Sequence, residues 1–115
     1  MITAEFGIIP EILKNEIYTN YEPKKYNCIK IDDDLYINDW WSQLQNMKTY
    51  FNELNSPSIG LNRHGVTLIP PNSLGYLENI VKNDSRLFSD PSLKKLLLII
   101  QKAISENKYI IHYGV

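Results

Sequence analysis

The chain has 115 residues, enough for one domain, and at 43% hydrophobic it can bury a core without disulfide or metal staples. With 13 acidic and 12 basic residues the net charge is −1, which excludes the cationic field a non-specific nucleic-acid binder needs. A single cysteine, Cys28, excludes an intrachain disulfide and a thiolate zinc cluster.

Residues 2 to 9 alternate in polarity. Ile2, Ala4, Phe6 and Ile8 fall on one side, and Thr3, Glu5 and Gly7 on the other. Period two predicts a half-buried strand, which Pro10 ends. No basic segment followed by an apolar run opens the chain, and Glu5 and Glu11 interrupt it, so no signal peptide is expected. No apolar run approaches the roughly 18 residues of a membrane span. The expected setting is reducing and cytoplasmic, with no membrane partner.

"EILKNEIY" fits a short helix or a second strand, and "TNYEPKKYN" reads as a polar surface loop. "YNCIKI" is rich in β-formers, with Cys28 expected as a small buried hydrophobe. Three consecutive aspartates follow, Asp32, Asp33 and Asp34. Two structures fit them: a strand running into a loop, or a tight hairpin with the aspartates at its tip. Asn38 or Asp39 then supplies a helix N-cap. Trp40, Leu44, Met47, Phe51 and Leu54 follow at helical spacing, which predicts an amphipathic helix of about four turns. Trp41 and Tyr50 fall off the stripe and are candidates for a flank or a partner surface.

"SIGLNRHGVTLIPP" reads as extended structure broken near residues 62 to 65, with Val66 to Ile69 as a buried strand. A helix capped by Asn72 or Ser73 comes next, with Leu74, Leu77 and Val81 inward. Asp90-Pro91 is an N-cap followed by proline at the first helical position. That helix is apolar on two adjacent faces, through Leu93, Leu97, Ile100 and Ile104 and through Leu96, Ile99 and Ala103, which predicts deep burial. "KYIIHYGV" closes the chain as a strand. The expected fold is a single α+β domain over residues 1 to 115: about four strands in a mixed or antiparallel sheet, packed by about three helices.

No catalytic motif is present. The aspartates lack the ligand alternation, central glycine and distal glutamate of a calcium loop. A two-metal nuclease wants carboxylates from further strands and usually a lysine, and only Lys30 is near in sequence. His64 and His112 are the only histidines, and they could form an acid–base pair if their strands are neighbours. Serine-nucleophile and phosphate-loop spacings are missing. Lys24-Lys25 and Lys94-Lys95 are isolated pairs offset by acids, so no nucleic-acid partner is expected. No catalytic residue, metal ligand or cofactor is assigned. The aspartates remain open between a solvated turn and an acidic interaction surface.

"GLNRHGVTLIPPNSLGYLENIV" and the closing "NKYIIHYGV" resemble the C-terminal half of small bacterial immunity proteins, encoded beside contact-dependent growth inhibition and other polymorphic toxins. The resemblance lies within residues 59 to 83 and 107 to 115, and it carries over no binding residue. It implies a non-enzymatic cytoplasmic protein that binds the C-terminal domain of a cognate toxin and blocks it, a nuclease being the expected class. An acidic patch with aromatic neighbours suits a cationic cleft. The candidate contact residues are Asp32, Asp33, Asp34, Tyr36, Asp39 and Trp41, extended by Glu53 and Glu78 if their helices pack alongside. The alternative is a small metal-dependent or histidine-based nuclease or hydrolase. Oligomeric state and strand order stay open.

Overall fold

The alternation at the start of the chain forms β1 (Thr3–Ile9), whose Ala4 and Phe6 are fully buried. This is a computed structural model, and it describes residues 2 to 114. β2 (Ile29–Asp32) and β6 (Tyr109–Tyr113) flank β1. β5 (Val66–Ile69), β3 (Lys48–Phe51) and β4 (Pro57–Ile59) extend the sheet, in the order β2-β1-β6-β5-β3-β4. Every pairing is antiparallel. Three helices complete the domain: α1 (Asn38–Leu44), α2 (Pro71–Lys82) and α3 (Pro91–Glu106).

The α+β class and the three helices match expectation. The sheet has six strands rather than about four, and the reason lies at residues 45 to 59. The expected four-turn helix ends at Leu44, after seven residues. Met47 is buried in a turn, with its amide donating to the Leu44 carbonyl at 3.0 Å. "KTYF" then pairs with both β4 and β5. Thr49 is buried there, and its hydroxyl donates to the Gly60 carbonyl at 2.7 Å. β-branched and aromatic residues fit a pleated surface better than a helix. The apolar spacing was therefore shared by a helix, a turn and a strand, each burying its own part of the stripe.

Both sheet faces are covered. On one, Ala4, Phe6, Ile31, Ile69 and Ile110 pack against Leu74 and Leu77 of α2 and Leu93, Leu96 and Ile100 of α3. α3 starts as its sequence signal predicts: Asp90 accepts a hydrogen bond from the Ser92 amide at 2.9 Å, and Pro91 occupies the first helical position. Its buried stripe is narrower than expected, since Ile104 is exposed and Leu97 and Ile99 are only partly buried. α2 begins at Pro71 rather than on a cap at Asn72 or Ser73. The Ser73 hydroxyl instead donates to the Lys48 carbonyl at 2.6 Å, tying α2 to β3.

The other face, with Ile9, Leu68, Ile111 and Tyr113, is covered by residues 10 to 28. Residues 11 to 18 form neither the helix nor the strand their pattern allowed. Tyrosines pin this loop. The Tyr21 hydroxyl donates to Glu5 at 2.6 Å, and the Tyr113 hydroxyl accepts from the Glu22 amide at 3.2 Å. A tyrosine supplies both apolar area and a polar tip, which suits a loop that must cover a sheet face. Cys28 is half-buried just before β2, and burial pushes its thiol up to about 12, far from nucleophilic. Among the described residues, no helix is long and apolar enough to cross a membrane.

Candidate functional site

The three aspartates are neither a hairpin tip nor a simple loop; they start a helix. β2 ends at Asp32, whose carboxylate accepts from the Leu35 amide at 3.1 Å. Asp33–Ile37 form one π-helical turn that runs directly into α1. Asp32 is thus the N-cap, and Asp33 and Asp34 lie at the positive end of the helical dipole. Asn38 and Asp39 do not cap; the Asn38 amide group donates to the Asp34 carbonyl at 2.6 Å, inside the helical segment.

Two arginine networks hold this segment, and the chain has only two arginines. The first joins it to the β4–β5 loop. Arg63 donates from Nη2 and Nε to Asp33 Oδ1, at 2.7 and 3.2 Å. The Asp33 side chain is only 2% exposed, and its Oδ2 has no partner among the described residues. The Arg63 guanidinium lies 5.3 Å from the Trp41 ring centroid, a cation–π contact. Gly114 lets the loop come this close: a Cβ there would stand 2.1 Å from the Arg63 carbonyl oxygen.

The second network joins the segment to the connection between α2 and α3. Arg86 grips Asp84 with two parallel bonds, Nε to Oδ1 at 2.9 Å and Nη2 to Oδ2 at 2.6 Å. Its Nη1 donates to Asp39 at 2.8 Å. Its guanidinium covers the Tyr36 ring at 4.5 Å. Trp40 Nε1 donates to Asp84 at 2.9 Å, and the Tyr36 hydroxyl donates to Asp90. The Arg86 guanidinium holds the Asp84 carboxyl well below the usual carboxylate range. Burial, and then the bond to Asp90, push the Tyr36 hydroxyl up to about 12.

The expected contact residues therefore separate. Asp33 and Tyr36 are buried and act inside the fold. Asp32 caps, and Trp41 is half-buried beneath Arg63. Asp34 is exposed, and the Asp39 side chain is 56% exposed although paired. Glu53 is on no helix. It follows β3, which lies four strand intervals from β2, roughly 19 Å across the sheet. Glu78 pairs with Lys82 on α2 and does not extend the patch. Sequence reasoning missed Arg63, Asp84, Arg86 and Asp90 as partners. The usable signal was the scarcity of arginine combined with its planar fork, suited to gripping carboxylates. It also missed Phe88, which is exposed on a short 3-10 turn (Ser85–Phe88) within the same connection.

The histidines fall in different environments. β5 and β6 are neighbours, but His112 faces the core, with Nδ1 3.1 Å from the Thr67 hydroxyl oxygen and its ring 5.0 Å from Phe6. Burial pushes its pKa down to about 3, so it stays neutral at ordinary pH. His64 is exposed on the β4–β5 loop. Among the described residues, no group of three or more histidine, cysteine, aspartate or glutamate side chains is arranged to hold a metal. The arrangement at residues 32 to 41 does one physical thing well: it locks a helix start in place while leaving some carboxylates in water.

No family model and no curated protein matches the chain. Among solved structures, the fold is similar to that of the Neisseria DNA mimic protein DMP12. The TM-score is 0.54 at 13% identity, over 96% of this chain and 98% of that one. At that identity the likeness is one of fold.

Proposed function

We propose that this chain is a non-enzymatic inhibitor that binds the C-terminal domain of a cognate bacterial toxin, a nuclease being the fitting class, and blocks its active cleft. The observation that carries this reading is the clamped acidic turn: Asp34 and Asp39 are exposed on a helix start fixed by Arg63 and Arg86. Carboxylates already held in place lose little freedom on binding, and they complement a cationic cleft.

The fold neighbour is described as a DNA mimic protein, and acidic mimicry of that kind would serve the same idea. Charge distribution narrows that idea for this chain. Glu22, Glu78 and Glu106 are each paired with a lysine, and the net charge is only −1. A local plug fits these charges better than imitation of a long duplex. The reading places the protein in the cytoplasm of the cell that makes the toxin.

The test is co-expression with the C-terminal domain of a toxin encoded by a neighbouring gene, where the genome holds one, followed by binding kinetics with the purified pair. Wild type should protect the cell. Asp34→Lys combined with Asp39→Lys should abolish protection and slow association about tenfold or more, with weaker salt dependence. A wild-type chain that neither protects nor binds would sink the reading.

A further inference from the structure

Phe88 has the largest exposure of any large apolar side chain among the described residues, at 84%. The turn that carries it is anchored on both sides. Arg86 is bonded to Asp84 and Asp39, Leu87 packs against the core, and Asp90 caps α3 while accepting from Tyr36. Leu35, 45% exposed, directly precedes that same Tyr36. Phe88 lies two residues from Arg86 and two from Asp90, and both of those touch Tyr36. Leu35 and Phe88 therefore stand on two turns bonded to each other, beside Asp34 and Asp39.

A rigidly mounted, water-exposed aromatic loses little entropy when buried, and such residues dominate the energetics of protein interfaces. We infer that Phe88, with Leu35 on the turn bonded to its own, is the apolar anchor of the partner interface, filling an apolar hollow on a protein whose surrounding rim carries lysine or arginine. This rests on the inhibitor reading and adds what the carboxylates alone do not supply, a desolvated centre. Charge selects the occupant. A second copy of this chain would bring Asp34 and Asp39 against their own equivalents. An anionic lipid surface would meet the same carboxylates. A basic protein rim is complementary to them.

The test uses the full isotope-labelled chain and, as a probe for such a rim and hollow, a helical amphipathic peptide of leucine and lysine followed by NMR. Perturbed amides should cluster at residues 34 to 39 and 85 to 90. Phe88→Ala should weaken binding at least about fivefold, and Phe88→Trp should restore it. The melting temperature of Phe88→Ala should stay within about 2 °C of wild type, because the side chain is exposed. Asp34→Asn should weaken binding by a part that disappears at high salt. Peptide binding unchanged in Phe88→Ala would overturn the anchor, as would perturbations confined to another surface or no binding at all. So would Phe88-dependent self-association or vesicle binding that exceeds the peptide's. A loss in Asp34→Asn with none in Phe88→Ala removes the anchor but leaves the acidic turn standing. Failure of the toxin domain itself to bind removes the inhibitor reading instead.

Discussion

The two arginine networks hold the same segment by different physics. Arg63 meets a carboxylate that is 2% exposed, through a single oxygen, and the other oxygen has no partner among the described residues. Arg86 meets Asp84 with both oxygens satisfied, then reaches Asp39 in water. A buried carboxylate depends on its one cation, because desolvation makes the unpaired charge expensive. Asp84 is nearly as buried, its side chain 6% exposed, but both of its oxygens are bonded, and only the Asp39 arm of that network lies in water and is screened by it. The first pair should therefore act as a structural requirement, and the Asp39 arm of the second should tune the turn.

Removing Arg63 is the sharpest way to break this contrast. Arg63→Ala leaves the Asp33 charge buried without its partner, a loss of about 3 kcal/mol. Chemical denaturation should register that drop. Adding Asp33→Asn in the same chain should recover a good part of it, because the neutral amide no longer carries a stranded charge. If the double variant is as unstable as the sum of the two singles, the pair is not coupled as the geometry implies.

How much of this could be read from the chain depends on where the determining contact lies. β1, the α3 cap at Asp90-Pro91 and the strand at Val66–Ile69 were legible because local chemistry decides them. The segment after Leu44 was not. Met47, Phe51 and Leu54 keep helical spacing, yet β3 exists only because β4 and β5 are there to pair with it. The aspartates were recognised as a special stretch, but the helix start they form was not. Asp33 looks like its neighbours in sequence and is buried only because Arg63 reaches it from 30 residues away. Asp39 and Arg86 meet across 47 residues. Such pairings leave no periodic trace, and they decide which acids remain available to a partner. Phe88 was overlooked for the opposite reason: one aromatic in a short connection produces no pattern.

The Arg86 network should announce itself in acid. Its carboxylate, Asp84, is lowered first by the side-chain bonds from Arg86 and further by the Arg86 amide and Trp40. A folded pKa below the unfolded value means that the unfolded chain takes up the proton more readily. The stabilisation is complete above the unfolded value near 3.8 and is lost as pH falls below it. His112 contributes a separate slope. Its pKa falls from 6.5 to about 3 on folding, so stability declines as pH drops through that interval. That slope is at most about 1.4 kcal/mol per pH unit. Denaturation of wild type and Asp84→Asn at a series of pH values separates the two. Both proteins should share the slope below pH 6.5. Asp84→Asn should start from lower stability at neutral pH, and its difference from wild type should shrink as pH falls below about 4. A difference that stays constant with pH would mean the Arg86–Asp84 contact does not depend on charge.

The smallest effect belongs to Asp39, and it isolates function from stability. Its side chain is 56% exposed and shares Arg86 with Asp84, so Asp39→Asn removes one screened contact and leaves the bidentate grip intact. The expected cost is under about 1 kcal/mol and should fade as salt rises. Thermal melts at low and high ionic strength measure it directly. A cost comparable to that of Arg63→Ala would erase the distinction between the two networks and would mean that the outer contact, too, is needed to hold the turn. A negligible cost would leave Asp39 a carboxylate that the fold does not require, held at the mouth of the clamp where a basic partner can reach it.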